Sequence, residues 1–213
     1  MGLSQRSGVP VLHAFSIGIL VSLASLVIFT VSAEAQARRK EAAEVKCPSV
    51  LGIGVTTDQT FCDVLTGLDP SEGVIVVIPP HRGVATLSFE LYNRHTYSEQ
   101  EVRAGRAYAQ YTAILILSTM DSNLLARAAV TSEFRTVDDL IDRIGGGAGF
   151  GGVKAVAPTG QERVVLSVPA DVNEVSLLGE RLDVVRFDER DTFVVPGRPI
   201  AIISNVEVDY RPR

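Results

Sequence analysis

The sequence predicts a mainly β protein, an antiparallel β-sandwich with the jelly roll as one form of it. Three observations support this fold class. From residue 74 onward, apolar and polar side chains repeatedly alternate with the period of a half-buried strand. Three predicted strands stop at a proline, at Ile78-Pro79, Val168-Pro169 and Val195-Pro196, and proline cannot donate a ladder hydrogen bond. The regular strand–helix rhythm of a parallel α/β fold is missing.

An apolar helix precedes this domain in the prediction. Residues 9–33 are apolar, no charge occurs between Val11 and Val31, and Arg6 supplies a positive start. Small residues at 31–37 fit the pattern that signal peptidase reads. The run is longer than an ordinary signal-peptide core and long enough to span a bilayer. Residues 1–35 are therefore predicted to be a cleaved signal peptide or an uncleaved signal anchor, which places the domain outside the cytoplasm, secreted, periplasmic or membrane-anchored.

The folded domain is predicted to cover 47–213, a length that suits one domain. Residues 36–46 are rich in Ala, Glu and Lys and read as a linker or a short frayed helix. The strands are predicted from alternation and from β-branched runs such as Val74–Ile78. They cover residues 74–78, 85–91, 108–118, 124–134, 162–168, 173–178, 181–187, 192–195 and 200–210.

One segment has helical spacing instead. Four apolar side chains fall at i, i+3, i+4 and i+7, namely Val137, Leu140, Ile141 and Ile144. Thr136 is a suitable N-cap, and Gly145 is suitable for the residue that ends a helix. The sequence therefore predicts one short helix near 136–144.

The only two cysteines are Cys47 and Cys62. An even cysteine count in an exported chain favours a disulfide, with two separate buried thiols as the alternative. Two cysteines with three histidines do not provide the ligand set of a zinc site.

Charge and composition exclude some classes of function. The formal net charge is −5, and the only basic run is Arg38-Arg39-Lys40, so the chain lacks the basic surface that nucleic-acid binding needs. Tryptophan is absent and aromatic residues are 6%, which argues against a sugar-stacking platform.

The glycine-rich run 145–152 contains the residue pattern GxGxxG, at Gly147–Gly152. In dinucleotide-binding proteins that motif opens a helix, whereas here the glycines follow the predicted helix. We therefore predict a loop, in which Phe150 is a candidate contact for a ligand or partner, and no cofactor.

Polar residues between strong strands are the other candidates, because loops on a rigid scaffold often carry function. His81 lies in a predicted turn after Pro79-Pro80. His95, Glu99 and Glu101 lie in the polar stretch 93–101, read as a loop between two strands. Their alternative interpretation is a set of solvated loop side chains.

A last candidate loop holds Asp188 and Asp191. Carboxylates in such a loop can hold calcium, but Arg186 and Arg190 neutralise much of this cluster. A ligand or partner loop and a solvated loop are the interpretations that remain, and no metal site is predicted.

The sequence favours an exported, non-catalytic module that binds a protein or envelope component and touches a membrane only if residues 9–33 are uncleaved. The catalytic motifs GxSxG, SxxK and HExxH do not occur. Two alternatives stay open. One is a secreted, glycan-acting hydrolase that uses loop carboxylates drawn from Glu99, Glu101, Asp183 and Asp188. The other is a membrane-tethered structural protein.

Overall fold

The computed structural model describes residues 37–144 and 153–213, without the side chains of 96–97 and 153–157. The predicted N-terminal apolar helix and the glycine-rich run with Phe150 lie outside these residues. Residues 36–213 form one compact unit. Among the described residues, no helix combines the length and apolar character needed to cross a membrane.

Strands dominate this unit. One α-helix, α1 (Glu99–Arg103), and two 3-10 turns, Pro70–Glu72 and Val137–Asp139, connect them in the described part of the chain. The strands are β1 (Arg39–Ala42), β2 (Glu44–Lys46), β3 (Val50–Ile53), β4 (Thr60–Leu65), β5 (Val74–Val77), β6 (Ala85–Ser98), β7 (Ala109–Thr119), β8 (Leu124–Phe134), β9 (Val153–Val168), β10 (Glu174–Arg186), β11 (Arg190–Phe193) and β12 (Pro199–Tyr210).

The strands form two antiparallel sheets. Sheet A has the order β3-β4-β12-β6-β9, and β1 adds to β12. Sheet B has the order β2-β5-β10-β7-β8, and β11 adds to β10. The predicted mainly β architecture is thereby confirmed.

One hydrophobic cluster draws side chains from both sheets, which gives a β-sandwich-like arrangement. On β6, Leu87 and Phe89 are fully buried, and on β7 Leu115 and Leu117 are buried in the same cluster. The alternation seen in the sequence thus marks the inner face of each sheet. Burying each of these side chains contributes about 1.5–3 kcal/mol.

A buried amide links the two sheets near one end. The Nδ2 group of Asn93, on β6, donates to the carbonyls of Tyr111 (3.1 Å) and Val130 (3.3 Å) and to Ser132 Oγ (2.7 Å), all in sheet B. Asn93 is completely buried, so these bonds offset the cost of desolvating its NH2 group, while its Oδ1 accepts no hydrogen bond from the described residues.

Each sheet has a strand that changes its partner at a bulge. β12 pairs with β4 over Pro199–Ile203 and with β1 over Glu207–Tyr210. Its register with β6 shifts between Ser204 and Glu207. β10 likewise pairs with β5 at 174–177 and with β11 at 182–185, and its register with β7 shifts between Gly179 and Arg181. The two predicted strands 173–178 and 181–187 are therefore one bulged strand.

The stretch 36–46, expected to be a linker or a frayed helix, instead contributes β1 and β2. Two basic side chains, one just before β1 and one on it, pair with carboxylates far along the chain. Arg38 Nε lies 2.9 Å from Asp209, and Lys40 Nζ lies 3.0 Å from Glu207. Val45 packs against the main core. These tertiary contacts outweigh the local helix propensity.

The predicted helix at 136–144 is wrong beyond its first turn. Thr136 does cap a 3-10 turn, with the reciprocal bond to Asp139. The chain then extends, because Leu140 bridges to Thr159 and Ile144 bridges to Gly54. Ile144 joins a second cluster, formed with Phe61, Tyr92 and Ile202.

The predicted disulfide is confirmed: Cys47 and Cys62 are bonded, with Cα atoms 5.9 Å apart. Cys62 lies on β4 within the main core. The bond therefore fastens the chain after β2 to the sandwich.

Candidate functional site

A cleft of about 820 Å³ opens where β12 exchanges β4 for β1. We call it the bulge cleft. Its walls come from β1 to β4 on one side and from β6, β9 and β12 on the other. The lining residues are Ala42, Ala43, Val45, Cys47, Val50, Thr60, Cys62, Glu90, Arg163, Ile203, Ser204, Asn205, Val206 and Glu207.

One wall is apolar. The chain crosses from sheet A to sheet B between Ala42 and Val45, and the Cys47–Cys62 disulfide holds the crossing against β4. Val50, on edge strand β3, is 64% exposed. This wall offers hydrophobic contact to whatever enters the cleft.

The opposite wall is a hydrogen-bonded ion network centred on Arg163. Its guanidinium donates to Glu207, to Ser88 Oγ (2.8 Å) and to the Asn205 carbonyl (3.4 Å). Lys40 also reaches Glu207. Hydrogen bonds from Lys40 and Arg163 lower the pKa of Glu207, so this carboxylate stays ionised.

A chain of hydroxyl groups leads from this network to the neighbouring loop. Tyr92 Oη donates to Glu90 Oε2 at 2.5 Å and lies 3.2 Å from Ser204 Oγ, which lies 2.9 Å from the Gln59 side chain. Burial and the adjacent Glu90 carboxylate raise the pKa of Tyr92. The phenol therefore remains a neutral donor that orients Glu90.

This arrangement suits recognition. Glu207 is held by two cations, and Glu90 accepts hydrogen bonds from Tyr92 and Asn205. Glu207, whose pKa is lowered, is a poor general acid. Apolar surface on one side and fixed polar groups on the other are typical of a binding cleft.

Two further depressions share Tyr111 and Arg186 at one end of the sandwich, each about 280 Å³. The histidine pocket is lined by His95, Ser98, Glu101, Arg106, Ala107, Tyr108, Ala109, Tyr111, Phe134 and Arg186. The arginine pocket is lined by Arg94, Tyr111, Leu182, Val184, Arg186, Phe193, Arg198 and Pro199.

His95 lies on β6, which continues through Ser98, so the prediction of a loop at this position is wrong. Its ring stacks on Phe134 (4.0 Å between centroids) and lies 4.7 Å from Tyr111. Burial, with a smaller effect of Arg186, lowers the pKa of His95 to about 4. His95 is thus a neutral, packed side chain at the floor of its pocket at neutral pH.

Glu99 and Glu101 begin α1, which Ser98 caps. Both Glu101 carboxylate oxygens accept from Arg106, at 3.0 and 2.9 Å. Asp183, the third acid of the hydrolase hypothesis, instead pairs with Arg181 on β10 (3.1 Å) and accepts from Thr192. Glu101 lines the histidine pocket and Asp183 does not.

Asp188 lies in the turn between β10 and β11, and Asp191 lies on β11. Asp191 accepts from Arg186 at 2.8 Å, which ties it to both pockets, while Asp188 is exposed. Within the described ranges, no group of three or more His, Cys, Asp or Glu side chains is arranged to hold a metal ion.

His81 lies at the opposite end of the sandwich. It is fully buried, and its ring nitrogens lie 2.9 Å from the Pro79 carbonyl and 3.1 Å from the Pro169 carbonyl. Between Ala85 and His95 the strand rises roughly 33 Å. His81 is therefore a structural residue that does not meet His95.

The sequence interpretation missed the bulge cleft, apart from its two cysteines. One signal for it exists in the sequence. Along β12 the inward positions run Ala201 and Ile203, then Val208 and Tyr210, which changes the phase of the alternation. A one-residue bulge restores the inward face, and bulges often accompany functional sites.

No protein-family model matches the chain, and no curated protein matches it. Among solved structures, it has similarity to a mutant VP2 protein of infectious bursal disease virus in T=1 particles, with 9% identity and a TM-score of 0.24. This match covers 84% of the chain and 41% of VP2. A VP2 subviral particle gives 12% identity and a TM-score of 0.18, over 84% of the chain and 43% of VP2. The chain spans about two fifths of these VP2 chains, and TM-scores this low establish neither fold nor function.

Proposed function

We propose that the chain is an exported, non-catalytic binding module of jelly-roll type, which holds part of a protein or envelope component in the bulge cleft. The apolar wall facing a fixed polar wall carries this proposal. The apolar wall supplies affinity through burial, and the network around Arg163 supplies hydrogen-bonding specificity.

Strand pairing supports the jelly roll. Eight strands form four nested antiparallel pairs, β4 with β12, β5 with β10, β6 with β9 and β7 with β8. Such nesting is what results when one long hairpin is rolled into two sheets. The eight-stranded double-sheet jelly roll has this organisation and presents binding surfaces at its edges and ends.

Export is supported by residues 1–35 and by the disulfide, since disulfides persist in oxidising compartments. Cleavage of a signal peptide would release the module, and an uncleaved anchor would keep it attached to the membrane. The proposed binding function is compatible with both. The intact mass of the exported protein distinguishes them. A mature N-terminus near Glu34, Gln36 or Arg38 means a free module, and an uncleaved start means a tethered one.

Val50→Arg tests the cleft directly, because Val50 is exposed and lines the apolar wall. The full chain is immobilised and exposed to the envelope fraction of its own cells, and bound material is quantified. We expect a saturable component that the variant fails to retain. The matched control is Val165→Arg, a 60% exposed valine on β9 outside this cleft.

Circular dichroism melts of both variants verify that each is folded. Equal retention by the Val50→Arg variant and the wild-type chain would contradict the proposal. So would equal loss in both variants, because a site on the cleft wall cannot depend on Val165.

A further inference from the structure

We propose that the arginine pocket is an oxyanion-binding site, in which Arg94, Arg198 and Tyr111 hold a carboxylate, sulfate or phosphate group. This site is separate from the bulge cleft, and the inference does not depend on a ligand there. It rests on the charge, the free donors and the shape of the pocket at the end of the sandwich.

The pocket concentrates positive charge in a chain whose net charge is negative. Three arginines are among its lining residues, and no carboxylate is among them. Tyr111 lines the same depression as these three arginines. Arg94 and Arg186 are each paired with a carboxylate outside the lining, so the uncompensated positive charge of the pocket lies on Arg198 and attracts an anion.

Arg94 is held in place through its Nε, and its terminal N–H groups are available as donors. Its Nε donates to Asp63 Oδ1 at 2.9 Å, and Asp63 is itself oriented by Ser49 Oγ at 3.0 Å. The terminal nitrogens of Arg94 form no side-chain hydrogen bond with any described residue. A guanidinium anchored from behind in this way presents a rigid donor pair to the pocket.

Arg198 is the least compensated of the three cations. It forms no ion pair in the described part of the chain, and its guanidinium carbon lies 3.5 Å from the centroid of the Phe193 ring. Stacking on an aromatic face holds a guanidinium flat and leaves its edge donors exposed. Arg186, by contrast, is paired with Asp191 and contributes mainly to the electrostatic potential in the pocket.

Tyr111 supplies a neutral donor between the arginines. Burial raises the pKa of its hydroxyl even though Arg186 and Arg198 oppose the change. The phenol proton is therefore available for a hydrogen bond to an anion at neutral pH. Arg94, Arg198 and Tyr111 thus line one small volume.

The size of the pocket fits an anionic group rather than a whole drug-sized ligand. Its volume of about 280 Å³ lies at the lower limit for small-molecule sites. The shared chemistry of the ligand is a compact oxyanion, either planar, as in a carboxylate, or tetrahedral, as in sulfate and phosphate.

Isothermal titration of the full chain with sodium acetate, sulfate and inorganic phosphate, in chloride buffer at constant ionic strength, tests the site. We expect saturable binding of at least one of the three anions. Tighter binding of acetate assigns a carboxylate ligand, and tighter binding of sulfate or phosphate assigns a tetrahedral one. Arg198→Ala should weaken that binding roughly tenfold, the usual scale for a charge-assisted hydrogen bond.

Two further variants sharpen the result. Tyr111→Phe keeps the ring and removes only the hydroxyl, so it should weaken binding severalfold without affecting folding. Arg127→Ala is the matched control, because Arg127 is an exposed arginine paired with Glu180 and is not part of the pocket. No saturable binding of any anion, or equal weakening by Arg198→Ala and Arg127→Ala, would overturn the proposal.

Discussion

Asn205 Nδ2 donates a 2.9 Å hydrogen bond to Glu90 Oε2 across the bulge of β12. Asn205 reaches this position with a left-handed backbone, at a φ of 48°. Its own carbonyl accepts from Arg163. Asparagine tolerates this conformation better than most residues, so a single side chain both permits the bulge and ties it to β6.

Replacing Asn205 should separate these two roles. Asn205→Gly keeps the left-handed backbone and loses only the bond to Glu90, so we expect a loss of about 0.5–1.5 kcal/mol in the free energy of unfolding. Asn205→Val adds the strain of a β-branched residue at positive φ and should cost about 1–2 kcal/mol more. Urea unfolding measures both. A valine variant as stable as the glycine variant would show that the bulge relaxes.

Loss of the disulfide should destabilise the domain by about 3 kcal/mol, the chain-entropy value for a loop of about 15 residues. The double variant Cys47→Ser, Cys62→Ser tests this by urea unfolding. Reduction of the wild-type protein should lower its stability by a similar amount, and the same reductant should leave the variant unchanged. A variant equal to the oxidised wild type would contradict a stabilising role for the bond.

His95 should make stability fall with acidification. The pKa of His95 is lowered to about 4 in the folded state, against 6.5 for an ordinary histidine. Between about pH 6.5 and pH 4, His95 is therefore protonated in the unfolded chain but not in the folded chain. The free energy of unfolding falls as the pH is lowered through this range. The expected loss is about 3 kcal/mol.

His95→Phe provides the comparison, since it keeps a ring against Phe134 and does not titrate. Unfolding free energies at pH 7.5, 5.5 and 4.5 give the slope for each protein. The wild-type slope should exceed the variant slope across this range. Parallel slopes would show that His95 titrates normally in the folded protein.

Asp142 should stabilise the turn at Thr56-Thr57 only while it is ionised. Burial disfavours the charged form, but hydrogen bonds from Thr57, Arg143 and Thr56 outweigh it and lower the pKa of Asp142 to about 2. The stabilisation is present above the ordinary carboxyl pKa and is lost as the pH falls through about 2. Asp142→Asn should cost about 1–3 kcal/mol at pH 7. In urea unfolding the difference from wild type should shrink towards pH 2, and a constant difference would contradict this.

Most of the length of the strands from β5 onward could be predicted, because many of their buried positions are apolar and spaced by two. The first part of β9 was missed, since that strand begins at Val153 and not at 162. The prediction stopped β6 at Leu91 for a physical reason. Its next inward positions are Asn93 and His95, which are buried by hydrogen bonds to the other sheet and by ring stacking. In a sequence taken alone, polar residues that are buried by contacts with distant parts of the chain have the same pattern as residues of a loop.

The same limit applies to β1 and to the candidate sites. The charges of β1 are matched by carboxylates near residue 207, which no local pattern connects to residue 40. The arginine pocket assembles Arg94, Arg186 and Arg198 from β6, from β10 and from the residue before β12, and only the fold brings them together. Cys47 and Cys62 could be paired in advance because the chain offers no other partner.

The pairing of β1 with β12 sets residue 39 directly opposite residue 210. A short flexible linker between these points would close the domain into a ring without disturbing either sheet. New ends could then be opened at a surface turn, such as the one around Ser122 between β7 and β8. The paired ends of β1 and β12 therefore suit circular permutation. In the unpermuted domain, a protein fused before residue 39 and one fused after residue 210 would be attached at the same edge of sheet A.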